Sequence, residues 1–178
     1  MIEKSVILDD NQTIKAITRI SHEIIERNKD YSSIVLIGIV TRGYPMANLI
    51  KDKIEEITGV AINVGKIDIT LYRDDLSELS EMPLVGKTSI DFDIKNKDVI
   101  LVDDVIFTGR TARAAIEAIL KIARPKTIQL AVLVDRGHRE LPIKPDYVGK
   151  NIPTSLDEVV SVKFLETDAI TKVSLMGL

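Results

Sequence analysis

An α/β fold built on a mainly parallel sheet flanked by helices is predicted by three features of this 178-residue sequence. Short apolar, β-branched runs at Ser33–Val40 (SIVLIGIV), Val99–Asp103 and Thr127–Val134 (TIQLAVLV) have the character of strands covered on both faces. Segments of helical period separate them. The alternation implies βαβ crossovers, and in such sheets ligands sit beyond the carboxyl ends of the strands. The functional residues are therefore expected just after Val40, Val102 and Val134.

Taken in order, residues 11–28 read as an amphipathic helix, with Ile14, Ile17, Ile20, Ile24 and Ile25 on one side. The first strand, Ser33–Val40, leads to a helix over Pro45–Thr58, with Pro45 in its first turn and Gly59 just past its end. Asn63–Tyr72 alternates as a strand does. Arg73–Asp93 is polar, acidic and punctuated by Pro and Gly, which predicts a long flexible loop with a hairpin in it. Strand Val99–Asp103 precedes a helix over Thr111–Ala123 that Pro125 closes. Thr127–Val134 and Val159–Leu165 complete the strands. No repeat or low-complexity linker divides the chain, so residues 1–178 are expected to form a single domain.

Composition narrows the function classes. Zero cysteines exclude disulfides, thiolate metal sites and cysteine nucleophiles, and fit a cytoplasmic setting. No apolar run is long enough to span a membrane, and the N-terminus lacks the pattern of a signal peptide. A net charge of −3 argues against indiscriminate nucleic-acid binding while leaving room for a local basic patch.

The densest chemistry lies at Val99–Thr111. Four apolar residues bury the strand, Asp103 and Asp104 emerge at its end, and Val105, Ile106 and Phe107 lead into Thr108, Gly109, Arg110 and Thr111, where a helix begins. Gly109 permits a tight turn. Amide N–H groups at the helix start, with the two threonine hydroxyls, offer a phosphate cradle. The adjacent carboxylates can accept hydrogen bonds from vicinal sugar hydroxyls. Each element alone is an ordinary strand end or helix cap; the combination points to a phosphorylated ribose.

This segment resembles the ribose-5-phosphate motif of the type I phosphoribosyltransferases. Thr18–Asn28 (TRISHEIIERN), Asp68–Asp75 (DITLYRDD), Val134–Pro142 (VDRGHRELP) and Tyr147–Ser155 (YVGKNIPTS) further resemble the PyrR family, the bifunctional pyrimidine operon attenuators and uracil phosphoribosyltransferases. The resemblance covers nearly the whole chain and is weakest in Glu78–Asp93 and after Leu165. It implies a type I phosphoribosyltransferase fold with a flexible loop and a small hood.

The implied reaction converts uracil and phosphoribosyl pyrophosphate to UMP and pyrophosphate. Oxocarbenium-like charge develops on the sugar, so electrostatics and positioning would carry catalysis. Asp103, Asp104 and Arg42 are the implied catalytic residues. Thr41, Arg42 and Gly43 match the family's pyrophosphate loop, with Gly43 letting the backbone approach. Arg136 and the region around Val160 would lie at the nucleotide and base, and Mg²⁺ would be bound through substrate rather than by a protein cage. The segment Arg73–Met82 would close over the substrate. Where hypoxanthine-type relatives place an acid next to the Thr-Gly turn, this chain has Phe107, which neither donates nor accepts a proton. That disfavours a purine enzyme.

On the first helix, Lys15, Thr18, Arg19 and His22 fall within about 60–100° of one another opposite the isoleucines, with Arg27 further round. Such a face can contact phosphates, 2′-hydroxyls and unstacked bases, although Glu23 and Glu26 share it and a solvated face is the plainer reading. The resemblance adds Arg139, Lys144 and Lys150, and implies a surface on a homodimer or tetramer that binds a hairpin in pyrimidine operon leader mRNA. UMP or UTP in the nucleotide site would favour the RNA-binding form. Two other functions fit parts of the sequence: an RNA-binding nucleotide sensor without significant catalysis, and a salvage phosphoribosyltransferase without RNA function. The acidic pair, the Thr-Gly-Arg-Thr turn and Arg42 favour retained catalysis.

Overall fold

The computed structural model describes residues 1–69 and 88–177. Its main sheet has five strands in the order β3-β2-β4-β5-β6, where β2 is Ile34–Ile39, β3 Asn63–Ile67, β4 Asp98–Ile106, β5 Thr127–Asp135 and β6 Tyr147–Asn151. All of its pairings are parallel. Helices α1 (Asp10–Arg27) and α2 (Gly43–Thr58) cover one face, and α3 (Arg110–Ile122) the other.

The central strand explains the layering. Ile100 and Val102 point to the side of α1 and α2, where Ile17, Ile20, Ile24, Met46 and Ile50 are buried. Val99 and Leu101 point the other way, onto Ala115, Ala118 and Ile119. Two buried faces require the continuous apolar runs that mark these strands in the sequence. Helix α1 starts with a capping box between Asp9 and Gln12, and α2 ends at Gly59 in a left-handed conformation, φ 70°. The isoleucine stripe of α1 is buried at Ile17, Ile20 and Ile24 and half-buried at Ile14 and Ile25.

A second, antiparallel sheet, β1-β8-β7, stands beside the first. It is formed by β1 (Ile2–Leu8), β7 (Glu158–Lys163) and β8 (Lys172–Gly177), and with the short helix α4 (Leu165–Asp168) it makes the hood. The strand expected at Val159–Leu165 is β7 of this second sheet. The fifth parallel strand is β6, and Phe164, fully buried, ends β7 and starts α4. The β5–β6 connection, residues 136–146, is a crossover without a helix. Residues 70–72 of the predicted Asn63–Tyr72 strand and residues 73–87 of the predicted loop lie outside the described residues. Ser89 pairs antiparallel with Lys66 at the free edge of β3.

Candidate functional site

The carboxyl ends of β2, β4 and β5 bring the chemistry together. Thr41 and Arg42 follow β2, and α2 begins at Gly43. A methyl group on Gly43 would strike the Val102 carbonyl, and one on Gly38 would lie 2.6 Å from the Gly43 carbonyl. Gly43 thus packs the start of α2 closely against β4, which sets Thr41 and Arg42 against Asp103 and Asp104.

These four residues, with Asp68 and Thr111, line a cleft of about 330 Å³. A second hollow of about 290 Å³ opens from Asp103 beneath the turn Phe107–Arg110, with Val105 and Ile106 in its wall. A third, of about 250 Å³, joins Arg42 and Asp104 to Val160, Val162 and Met176 of the hood. Asp103, Asp104 and Arg42 thus stand where the three spaces meet. The arrangement offers room for a phosphate, a sugar with its leaving group, and a base.

The turn is built by its backbone. Gly109 has φ 93° and begins α3 with no side-chain cap, leaving first-turn N–H groups for an anion. The Thr108 carbonyl accepts from Glu140 and Leu141 N–H at 3.0 and 3.1 Å. The Thr108 hydroxyl accepts from Arg110 N–H at 3.3 Å, and the Arg110 side chain is bridged to Glu140 at 2.8 Å.

Asp104 N–H donates to Asp103 Oδ1 at 2.9 Å, and Val105 N–H to Asp104 Oδ1 at 2.9 Å. Burial pushes the Asp104 carboxyl above its ordinary value, although Asp103, the local N–H groups and Arg42 pull the other way. Arg42 is bridged to Asp168 of α4, Nη2 to Oδ1 at 2.9 Å, and its Nε is buried with no hydrogen-bond partner among the described residues. Asp168 was not legible in the sequence: it lies 126 residues from Arg42, where the resemblance is weakest.

Arg136 lies beside the site as a strut. Its guanidinium stacks 4.1 Å from the Phe107 ring centroid and donates to Thr154 Oγ1 and the Ser155 carbonyl at 3.1 Å each. Burial pulls its pKa below the ordinary arginine value. The His138 ring meets Phe107 edge-on at 5.9 Å.

The residues expected to face RNA divide in two. Lys15, Arg19, His22 and Arg27 are exposed along α1, while the half-buried Thr18 hydroxyl donates to its own helix at Ile14. Arg19 donates to the Gly149 carbonyl, which brings exposed Lys150 of β6 beside this face. Arg27 pairs with Asp146 at 2.6 Å, and that hydrogen bond raises its pKa against the opposing effect of burial. Lys144 is exposed on the same connection. Arg139 is placed apart from them: Nη1 donates to the Phe107 carbonyl and Nη2 to Asp135 Oδ2, each at 2.6 Å. It braces the turn that leads from β4 into α3.

The phosphoribosyl transferase domain family matches residues 4–166. The chain is 58% identical over 175 residues to the bifunctional protein PyrR of Clostridioides difficile, covering 98% of this chain and 99% of that protein. It is 60% identical over 162 residues to the Caldicellulosiruptor bescii protein of the same name, covering 91% and 89%. Among solved structures, a hypoxanthine-guanine phosphoribosyltransferase from Bacillus anthracis superposes with a TM-score of 0.76 at 18% identity, over 100% of both chains. The hypoxanthine phosphoribosyltransferase of Trypanosoma cruzi gives 0.74 at 17% identity, over 98% of this chain and 97% of that one. At such identities these two likenesses establish the fold alone.

Proposed function

The chain belongs to the phosphoribosyl transferase domain family and, within it, to the bifunctional PyrR proteins; from that premise we propose that it both makes UMP and controls transcription. It transfers a phosphoribosyl group from phosphoribosyl pyrophosphate to uracil, releasing pyrophosphate. It also binds leader mRNA of the pyrimidine operon in a uridine-nucleotide-dependent way and so regulates attenuation. The observation that carries the enzymatic reading is the meeting of Thr41–Arg42 with Asp103–Asp104 in one cleft.

In this reading the turn Thr108–Thr111 takes the 5′-phosphate on N–H groups and hydroxyls. Asp103 and Asp104 take the ribose hydroxyls, and their negative charge favours the cationic sugar as its bond to pyrophosphate lengthens. Arg42 balances the charge on the departing pyrophosphate. The hood hollow beside Val160 receives uracil, its wall excluding water from the reacting carbon.

Among the described residues no group of three or more His, Cys, Asp or Glu could hold a metal ion. Two adjacent carboxylates beside a polyphosphate site nevertheless suit Mg²⁺, which takes one or two carboxylates plus substrate oxygens. When bound there, Mg²⁺ would neutralise pyrophosphate charge. Asp103 and Asp104 are the residues that would hold it, together with substrate.

The Phe107 ring, covered by Arg136, offers no proton to a purine nitrogen, which favours the pyrimidine substrate. The RNA reading rests on family membership and on the exposed strip Lys15, Arg19, His22, Arg27, Lys144 and Lys150. The working form is a homodimer or tetramer in the cytoplasm. No helix among the described residues is long and apolar enough to cross a membrane.

One pair of assays tests the proposal. UMP formation is measured with uracil, hypoxanthine and guanine as competing bases, and leader-RNA binding is measured at fixed salt with and without UMP. Uracil turnover and UMP-tightened RNA binding are expected. Purine turnover would refute the substrate, and RNA binding indifferent to UMP would refute the regulation.

A further inference from the structure

Resting on the reading of Thr41–Gly43 as a pyrophosphate loop, we propose that Asp168 is a positioning residue that sets the Arg42 guanidinium for pyrophosphate from the hood side of the cleft.

Both carboxylate oxygens of Asp168 are committed. Oδ2 accepts from Phe164 N–H at 3.1 Å, which fixes the carboxylate across its own short helix. Oδ1 accepts from Arg42 Nη2 at 2.9 Å. Phe164 is 1% exposed and anchors that helix in the main core. A rigid chain of contacts therefore runs from the core, through Phe164 and Asp168, to the guanidinium.

Arg42 is only partly satisfied by this contact. Its side chain is 39% exposed against 16% for Asp168, so the acid sits behind and the cation faces the cleft. Arg42 borders both the sugar cleft and the hood hollow. Its Nε is buried with no acceptor among the described residues, so the exposed part of the guanidinium lies at its terminal nitrogens. A guanidinium tethered at one nitrogen keeps its plane fixed while others remain for phosphoryl oxygens, and that geometry suits two-point recognition. Burial resists ionisation of Asp168, but Arg42 and the Phe164 N–H hold its carboxyl below the ordinary range, so the tether stays charged at neutral pH.

The test uses the full chain and magnesium pyrophosphate as the probe in titration calorimetry, with steady-state kinetics alongside. Asp168→Asn keeps an oxygen for the Phe164 N–H and removes the charge. It is expected to weaken pyrophosphate binding roughly tenfold and to raise KM for phosphoribosyl pyrophosphate in proportion, leaving KM for uracil unchanged. Asp168→Glu should recover part of the loss. In an Arg42→Ala background Asp168→Asn should change nothing further, because the residue acts through Arg42. Unchanged or tighter pyrophosphate binding by Asp168→Asn, or an equal loss in the Arg42→Ala background, would overturn the role. Asp168-dependent pyrophosphate binding without uracil turnover would refute the uracil reading alone. Uracil turnover with Asp168-independent pyrophosphate binding would refute the positioning role alone.

Discussion

Arg139 donates a 2.6 Å hydrogen bond to the backbone carbonyl of Phe107, and its second terminal nitrogen is held by Asp135. The arginine that sequence similarity groups with an RNA-binding strip is thereby built into the turn between β4 and α3. Its side chain is 22% exposed, against 55% for Arg19.

The two arginines should separate on mutation. Arg19→Ala should weaken leader-RNA binding and lower the salt slope by about one counterion, while uracil turnover persists. Arg139→Ala should loosen UMP binding directly, because the Phe107 carbonyl and Asp135 lose their shared partner. Equilibrium dialysis with UMP distinguishes them. Wild-type UMP affinity in Arg139→Ala would return that residue to the RNA surface.

Asp104→Asn should cut uracil turnover on the order of 10²–10³-fold. It should not cost stability in the ligand-free protein. Burial raises the Asp104 carboxyl above its ordinary value, so the folded protein holds that proton more tightly than the unfolded chain does. The group's contribution is present below the unfolded pKa and is lost as pH climbs, which makes the ionised carboxylate a burden near neutrality. Thermal melts at pH 5 and pH 7 should show the variant gaining on wild type at the higher pH. A variant that loses ground there contradicts the sign.

Gly43→Ala tests how the cleft is assembled. Its methyl group would meet the Val102 carbonyl, which is backbone of the central strand and cannot step aside. A cost of about 2 kcal/mol in urea unfolding is expected, with a raised KM for phosphoribosyl pyrophosphate as Arg42 moves. Normal stability and normal KM together would show that the helix start can shift freely.

Tyr147 gives a prediction at alkaline pH. Its hydroxyl donates to Gln129 Oε1 and accepts from Asn28 Nδ2, in a buried network that ties α1 to β5 and β6. Burial raises its pKa above that of an ordinary tyrosine. A phenol with a raised folded pKa stabilises the protein below its unfolded value, and that contribution disappears as pH rises through the folded one. Unfolding should therefore steepen above about pH 10 in wild type and flatten in Tyr147→Phe. The variant should also lose about 1–2 kcal/mol at pH 7. Identical alkaline profiles would place the transition elsewhere.

What the sequence displayed of this molecule was its local order. The strand, acidic pair and turn of Val99–Thr111 are contiguous, so their chemistry could be read directly, and the isoleucine period of α1 marked its buried side. The hood was harder to see. Strand β1 (IEKSVIL) is exposed along most of its length and carries no alternating apolar pattern. Strand β6 is only five residues long. The Arg42–Asp168 pair and the placement of Arg139 depend on how distant segments meet, and no spacing records that.

The pairing of β1 with β8 sets an order in time. Ser174 bonds Glu3 across 171 residues, and Lys172 closes on the same carboxylate. At a synthesis rate of about 5–20 residues per second, β1 leaves the ribosome roughly 10–35 s before its partner strand exists. The five parallel strands are complete by Asn151 and can condense in that interval. The hood wall at Val160, Val162 and Met176 is thus the last part of the hollow beside Arg42 and Asp104 to be synthesised. A stall or truncation before β8 would leave β1 and β7 without the strand that joins them.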